Sequence, residues 1–103
     1  MELIETPVFT QQVQATLTPE EYRLFQLQLV LHPELGQRIP GAGGLRKIRW
    51  RVGDRGKRGG IRVIYYWKSA ADHLFLLFLY PKNVRSDLSA KELRTLRALI
   101  TDD

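Results

Sequence analysis

No cysteine occurs in the 103 residues, and there are only two histidines and one methionine. Without cysteine there is no disulfide framework, thiolate nucleophile or cysteine-based zinc site, and a reducing compartment is the natural fit. His32 stands beside Pro33 and His73 opens a distant apolar run, so neither has a ligand spacing or a carboxylate near it in sequence. Both read as ordinary boundary or surface residues. HExxH, GxSxG, Walker and GxGxxG patterns are also missing. Gly41–Gly44 (GAGG) runs into a strand pattern, whereas a phosphate loop opens a helix, so it reads as a connection. The opening MELIETPVFT has glutamates where a secretory leader carries lysine or arginine. The longest apolar run, Leu74 to Tyr80, falls far short of the ~20 residues a membrane crossing needs. With 44% hydrophobic and 26% charged residues the chain has the make-up of a folded domain and not of a disordered one. The expectation is one soluble, cytoplasmic domain over residues 1–103, without membrane, metal or cofactor.

Acid is scarce in one place above all. Leu45 to Lys68, LRKIRWRVGDRGKRGGIRVIYYWK, holds nine lysines and arginines against the single Asp54. That local +8 compares with +5 for the whole chain, so the remainder sums to −3. Such unevenness is the footprint of a polyanion site. Two alternating runs, LRKIRWRV and IRVIYYWK, flank a tip with four glycines, which predicts a basic β-hairpin.

Around it, Glu2 to Thr6 alternates as a short strand, broken at Pro7, and Val8 to Ala15 has a weak helical pattern. Thr18-Pro19-Glu20-Glu21 is a stronger signal: Thr18 caps, Pro19 takes the first helical position and Glu21 completes a capping box. The helix carries Tyr22, Phe25, Leu29 and Val30 on one face and ends before Pro33. Gly36 to Gly44 reads as a loop. His73 to Pro81 is apolar without alternation, as expected of a central strand covered on both faces. Ser89 to Glu92 is a second capping box, opening a helix with Leu93, Leu96 and Ile100. The predicted order is β-α-α-β-β-β-α, an α+β fold whose small, mainly antiparallel sheet has the helices on one face.

Alternation divides the hairpin. Lys47, Arg49 and Arg51 share one face of the first strand, and Arg46, Ile48, Trp50 and Val52 the other. On the second strand Ile61, Val63, Tyr65 and Trp67 form one set; Arg62, Ile64, Tyr66 and Lys68 form the other. Several desolvated cations without partners are too costly for a core, so the row of Lys47, Arg49 and Arg51 points outward and Arg62 joins it. Arg46, Arg55, Lys57 and Arg58 add to a surface suited to a phosphate backbone. A charged strand face is often merely solvated, and basic edges also keep strands from pairing with other chains. Such faces normally mix both signs, and this one has almost no acid. Trp50 and Trp67 fall on the sets opposite Arg49 and Arg62, which assigns both to the core.

GGLRKIRWR, then GKRGGIRVIYYW, then a hydrophobic strand running into YPKN and a D-L-S helix start resemble the RelE/HigB toxins of bacterial type II toxin–antitoxin systems. The KRGGxRVIYYW string resembles the HigB branch. The resemblance implies a RelE-like fold and a ribosome-dependent mRNA endoribonuclease. Such an enzyme cuts the message in the ribosomal A site, beside the 16S rRNA, by attack of the 2′-hydroxyl on the scissile phosphate. It also implies neutralisation by a cognate helix-turn-helix, HigA-like antitoxin. Carried over by position, Lys47, Arg49, Arg62 and Lys82 are the catalytic residues. Lys82 stands where many relatives have arginine, and Leu88 occupies the region where well-studied RelE proteins have a tyrosine. A lysine crowded by cations gives up its proton more readily, making Lys47 the candidate base. Arg62 suits bidentate contact with the phosphate, and Lys82 suits the leaving group. The alternatives are a ParE-like toxin, which shares the fold but poisons DNA gyrase and lacks RNase activity, and a non-catalytic RNA-binding module.

Overall fold

Each of the three α-helices begins at a residue whose hydroxyl accepts from the first turn. In the computed structural model, which describes residues 1–51 and 60–100, Thr6 caps α1 (Pro7–Thr16), Thr18 caps α2 (Pro19–Leu31) and Ser89 caps α3 (Ala90–Ala98). Both predicted capping boxes form, with Glu21 and Glu92 returning the bond to the cap N–H. The first strand ends before Pro7 as predicted, and Pro7 serves as the first residue of α1, where its missing N–H costs nothing.

The strands are β1 (Glu2–Glu5), β2 (Gln37–Arg38), β3 (Arg46–Trp50), β4 (Ile61–Lys68) and β5 (His73–Pro81). They form one sheet in the order β1-β5-β4-β3-β2. Among the described residues only β1 is parallel to its neighbour, so the sheet is mainly antiparallel as predicted. β2 is a two-residue addition inside the stretch read as loop. The β3–β4 hairpin is present; its tip, with Arg55, Lys57 and Arg58, lies outside the described residues. Gly60 re-enters β4 at φ +61°, where a Cβ would sit 2.2 Å from the Trp50 carbonyl oxygen, so the close of the hairpin requires glycine.

One expectation fails: the helices do not share a face. Phe9, Val13, Phe25 and Leu29 of α1 and α2 pack on Ile48, Ile61, Val63, Tyr65, Leu74, Leu76 and Leu79. On the opposite face Ile64, Leu77 and Tyr80 pack with Leu45 and Ile100, flanked by Leu93 and Leu96 of α3. A strand apolar on both faces needs two covers, and the unalternating β5 is such a strand.

β5 reconciles the two faces with a bulge. Ile64 pairs with Phe78 but Tyr65 pairs with Leu76, leaving Leu77 as an extra residue. Its carbonyl accepts from Thr6 Oγ1 at 2.9 Å, while the Leu79 N–H donates to Gln12 Oε1 at 2.7 Å, so α1 and its cap help satisfy the interrupted ladder. The extra residue shifts the phase of the strand. Leu74 and Leu76 face α1 and α2, yet Tyr80, also even-numbered, faces the other way and pairs with Arg62.

Candidate active site

Strand register builds the basic site. Arg49 lies directly opposite Arg62, and Arg62 directly opposite Tyr80, so the three share the face away from α1 and α2. Lys47 is two residues before Arg49 and therefore on the same face. Two arginines opposed across a strand pair repel one another, which a fold keeps only with compensation or use. Arg49 is exposed and Lys47 half-buried, but Arg62 is only 5% exposed. The expected outward row is thus correct for β3 and wrong for Arg62. β4 is flanked by strands on both sides, and Arg62, its second residue, is enclosed there. Its Nη1 donates to the Ile61 carbonyl at 3.2 Å.

The compensation comes from a residue that sequence reading passed over. Asp87, in the connection before α3, places Oδ1 2.6 Å from Lys47 Nζ. Its carboxyl is held below the ordinary range first by that hydrogen bond and by Lys47's charge, and further by the charges of Arg49 and Arg62. Asp87 is therefore ionised at neutral pH, bonded to Lys47 and within reach of the charges of Arg49 and Arg62. Its side chain is 67% exposed, and a pair so wet is worth little and readily exchanged.

Tyr80 is the second residue missed. It is buried beside Arg62, its hydroxyl 3.4 Å from the Ser86 carbonyl. Burial first, and then Asp87's charge, push its phenol up, with Arg62 and Arg85 opposing. It stays protonated and serves as a donor, not a base. Arg85 lies over the Tyr80 ring at 5.9 Å and is paired with Glu92, which fixes the turn carrying Asp87. No periodicity marks loop residues such as Arg85 and Asp87.

The other predicted residues are scattered around this centre. Lys82 follows β5 directly and is exposed; its backbone N–H donates to the Gly60 carbonyl at 3.1 Å, which sets it at the β4 entrance, one step beyond the Arg62–Tyr80 pair. Arg51 is exposed at the end of β3. Arg46 is on the opposite face, where its Nη1 donates to the Gly36 carbonyl at 2.7 Å and the Glu34 carbonyl at 3.2 Å, so it is not brought together with Lys47 and Arg49. Trp50 meets Phe25 edge-on at 5.2 Å against the first core, as its set predicted, and Trp67 is half-buried. His73 does have a carboxylate partner, Glu2 across the β1–β5 pair at 3.1 Å, on the far side of the sheet from the cations. Among the described residues no cluster of histidine and carboxylate suits a metal ion. Nor, among them, is any helix long and apolar enough to cross a membrane.

The arrangement is thus a cationic centre, Lys47, Arg49 and Arg62 on one face with Asp87 as counter-charge. The structure resembles that of Escherichia coli toxin RelE, in a mutant with two arginines replaced by alanine and in the free state. The TM-score is 0.60 at 14% identity, over 95% of this chain and 94% of that one. The likeness is one of fold. Residues 39–102, which include every cation of the site, match the family model described as the RelE toxin of the RelE/RelB toxin–antitoxin system. The chain belongs to the RelE toxin family.

Proposed function

We propose that this chain, as a single RelE-like domain over residues 1–103, is a ribosome-dependent mRNA endoribonuclease. The observation that carries this reading is the opposed pair Arg49–Arg62 with Lys47 beside it, three cations on one face sharing Asp87 as counter-charge. A phosphodiester placed there replaces Asp87. The message's 2′-oxygen attacks phosphorus in line, the bond from phosphorus to the 5′-oxygen breaks, and the products are a 2′,3′-cyclic phosphate and a 5′-hydroxyl. The step needs a proton taken from the 2′-hydroxyl, charge stabilised on the phosphorane and a proton given to the 5′-oxygen. Arg62, buried and fixed, contacts the non-bridging oxygens with Arg49; preorganised donors are worth most where water is excluded. Lys47 is the base once Asp87 has moved off it, and Lys82, at the adjoining strand entrance, serves the leaving group. Tyr80 lies beside Arg62 on the same face, where the bulge has turned it.

Arg49 on β3 and Arg51 just past its end, both exposed, face the message and the 16S rRNA of the A site, which makes the setting cytoplasmic. The partner that restrains the activity is a helix-turn-helix antitoxin of the HigA type, drawn by the net charge of +5 to offer an acidic segment. Primer extension on mRNA from cells expressing the protein tests the reading. Codon-spaced, in-frame cuts that vanish when translation is blocked are expected. A gyrase-poisoning toxin gives DNA breaks and no cuts, and an RNA-binding module gives neither.

A further inference from the structure

Beside the cations, along the outer edge of β3, runs a groove of about 370 Å³ lined by Leu35, Gln37, Lys47, Ile48, Arg49 and Trp50. We propose that it receives an unstacked nucleobase next to the bound phosphate, and that Gln37 reads the edge of that base; the inference rests on the RNA-cleaving reading above. The groove exists because β2 is so short. Gln37 and Arg38 pair with Lys47 and Arg46 only, so among the described residues β3 has no strand neighbour on that side beyond Lys47.

Its lining divides by chemistry. Lys47 and Arg49 form the end that meets the phosphate. Leu35, 45% exposed, and Trp50 form an apolar wall, and the Trp50 ring is held edge-on by Phe25. A leucine left this open beside two cations serves neither the sealed core nor the phosphate site. It suits the face of a base. Gln37 lies directly opposite Lys47 in the ladder and so on the same face. Its amide offers two donors and one acceptor, the complement of a base edge. Cations on a phosphate carry no sequence information, whereas an amide on a base does. The volume lies in the range of small-molecule sites. A peptide strand adding to the edge is the lesser fit, because the open edge is about three residues long and has two cations at its mouth.

The test maps cuts on a diverse pool of translated mRNAs for wild type, Gln37→Ala, Gln37→Glu and Leu35→Ala. Gln37 and Leu35 are exposed, so these variants keep the fold. Wild type is expected to prefer one base at a fixed position beside the cut. Gln37→Ala should reduce that preference about fivefold or more, the worth of one good amide–base contact, while cuts at other bases persist. Gln37→Glu, which loses the amide donors, should change which base is preferred, and Leu35→Ala should weaken the same position. Cut patterns superimposable on wild type overturn the subsite alone, as does a uniform loss at every site. So does a variant that loses antitoxin binding with its cut pattern intact, which marks the groove as a peptide edge. Absence of cuts by wild type overturns the nuclease reading as well.

Discussion

Toward α1 and α2, alternate residues of β3 and β4 are Ile48, Ile61, Val63 and Tyr65, all closed off from water. The residues between them form the other face, and it is divided: Ile64 and Tyr66 lie with the second core near α3, while Lys47, Arg49 and Arg62 gather by Asp87. One face is spent wholly on cohesion. The other accepts a repelling arginine pair and an enclosed guanidinium, both of which work against stability. The lesson is that the sealed face carries the fold, so that its reverse is free to hold groups a core rejects.

Breaking the sealed face should have the largest effect. Phe25→Ala removes a fully buried ring from α2 and should cost about 3–5 kcal/mol in denaturant titration, a large part of a small domain's stability. Cleavage should then disappear with the fold. Arg62→Ala should do the reverse. Cutting of translated mRNA should fall about a hundredfold or more, as when a preorganised donor is removed, with stability within about 1 kcal/mol of wild type. A destabilised Arg62→Ala that still cuts would show that the arginine belongs to the cohesive face after all.

Asp87→Asn sharpens the contrast further. It removes the carboxylate paired with Lys47, which under the proposed function gives way to a phosphate, so RNA binding at low salt should tighten by up to about fivefold, the worth of an exposed pair. Weaker binding would mean that Asp87 contacts RNA itself. The smallest effect is at the rim. Glu92 is held down to about 2, first by its hydrogen bond from Arg85 and then by the Ser89 N–H, against an ordinary value of 4.5. Its folded value is the lower one, so its stabilisation is full above about pH 4.5 and lost as pH falls toward about 2. The thermal midpoint of wild type should therefore decline more steeply over that window than that of Glu92→Gln.

Much of this was legible because it is local. Thr18 with Glu21 and Ser89 with Glu92 are caps written within four residues, and the division of the hairpin needs only period two. The cations Lys47, Arg49 and Arg62 follow from that division. Burial of Arg62 was not legible, since alternation assigns a face but not what covers that face. Tyr80 was hidden by the Leu77 bulge, which reverses the parity of the strand and leaves no mark in an all-apolar run. Asp87 sits in a connection whose path is set by Arg85, Tyr80 and α3 together. The side taken by α3 depended on a second apolar face that a sequence without alternation cannot assign.

The pairing of β1 with β5 reaches further than architecture. Glu2 meets His73, whereas Arg49 meets Arg62 across a much shorter span of chain. Closing a loop costs more as it lengthens, so the hairpin is expected to form early in folding and β1 to dock late. Pulsed hydrogen exchange should find β4 amides protected before those of β1. On a ribosome, β1 would be made before the hairpin yet placed after it. This chain would then emerge with its basic strand pair shaped before its own fold is closed, leaving an interval in which a partner present at birth has the advantage over one that comes later.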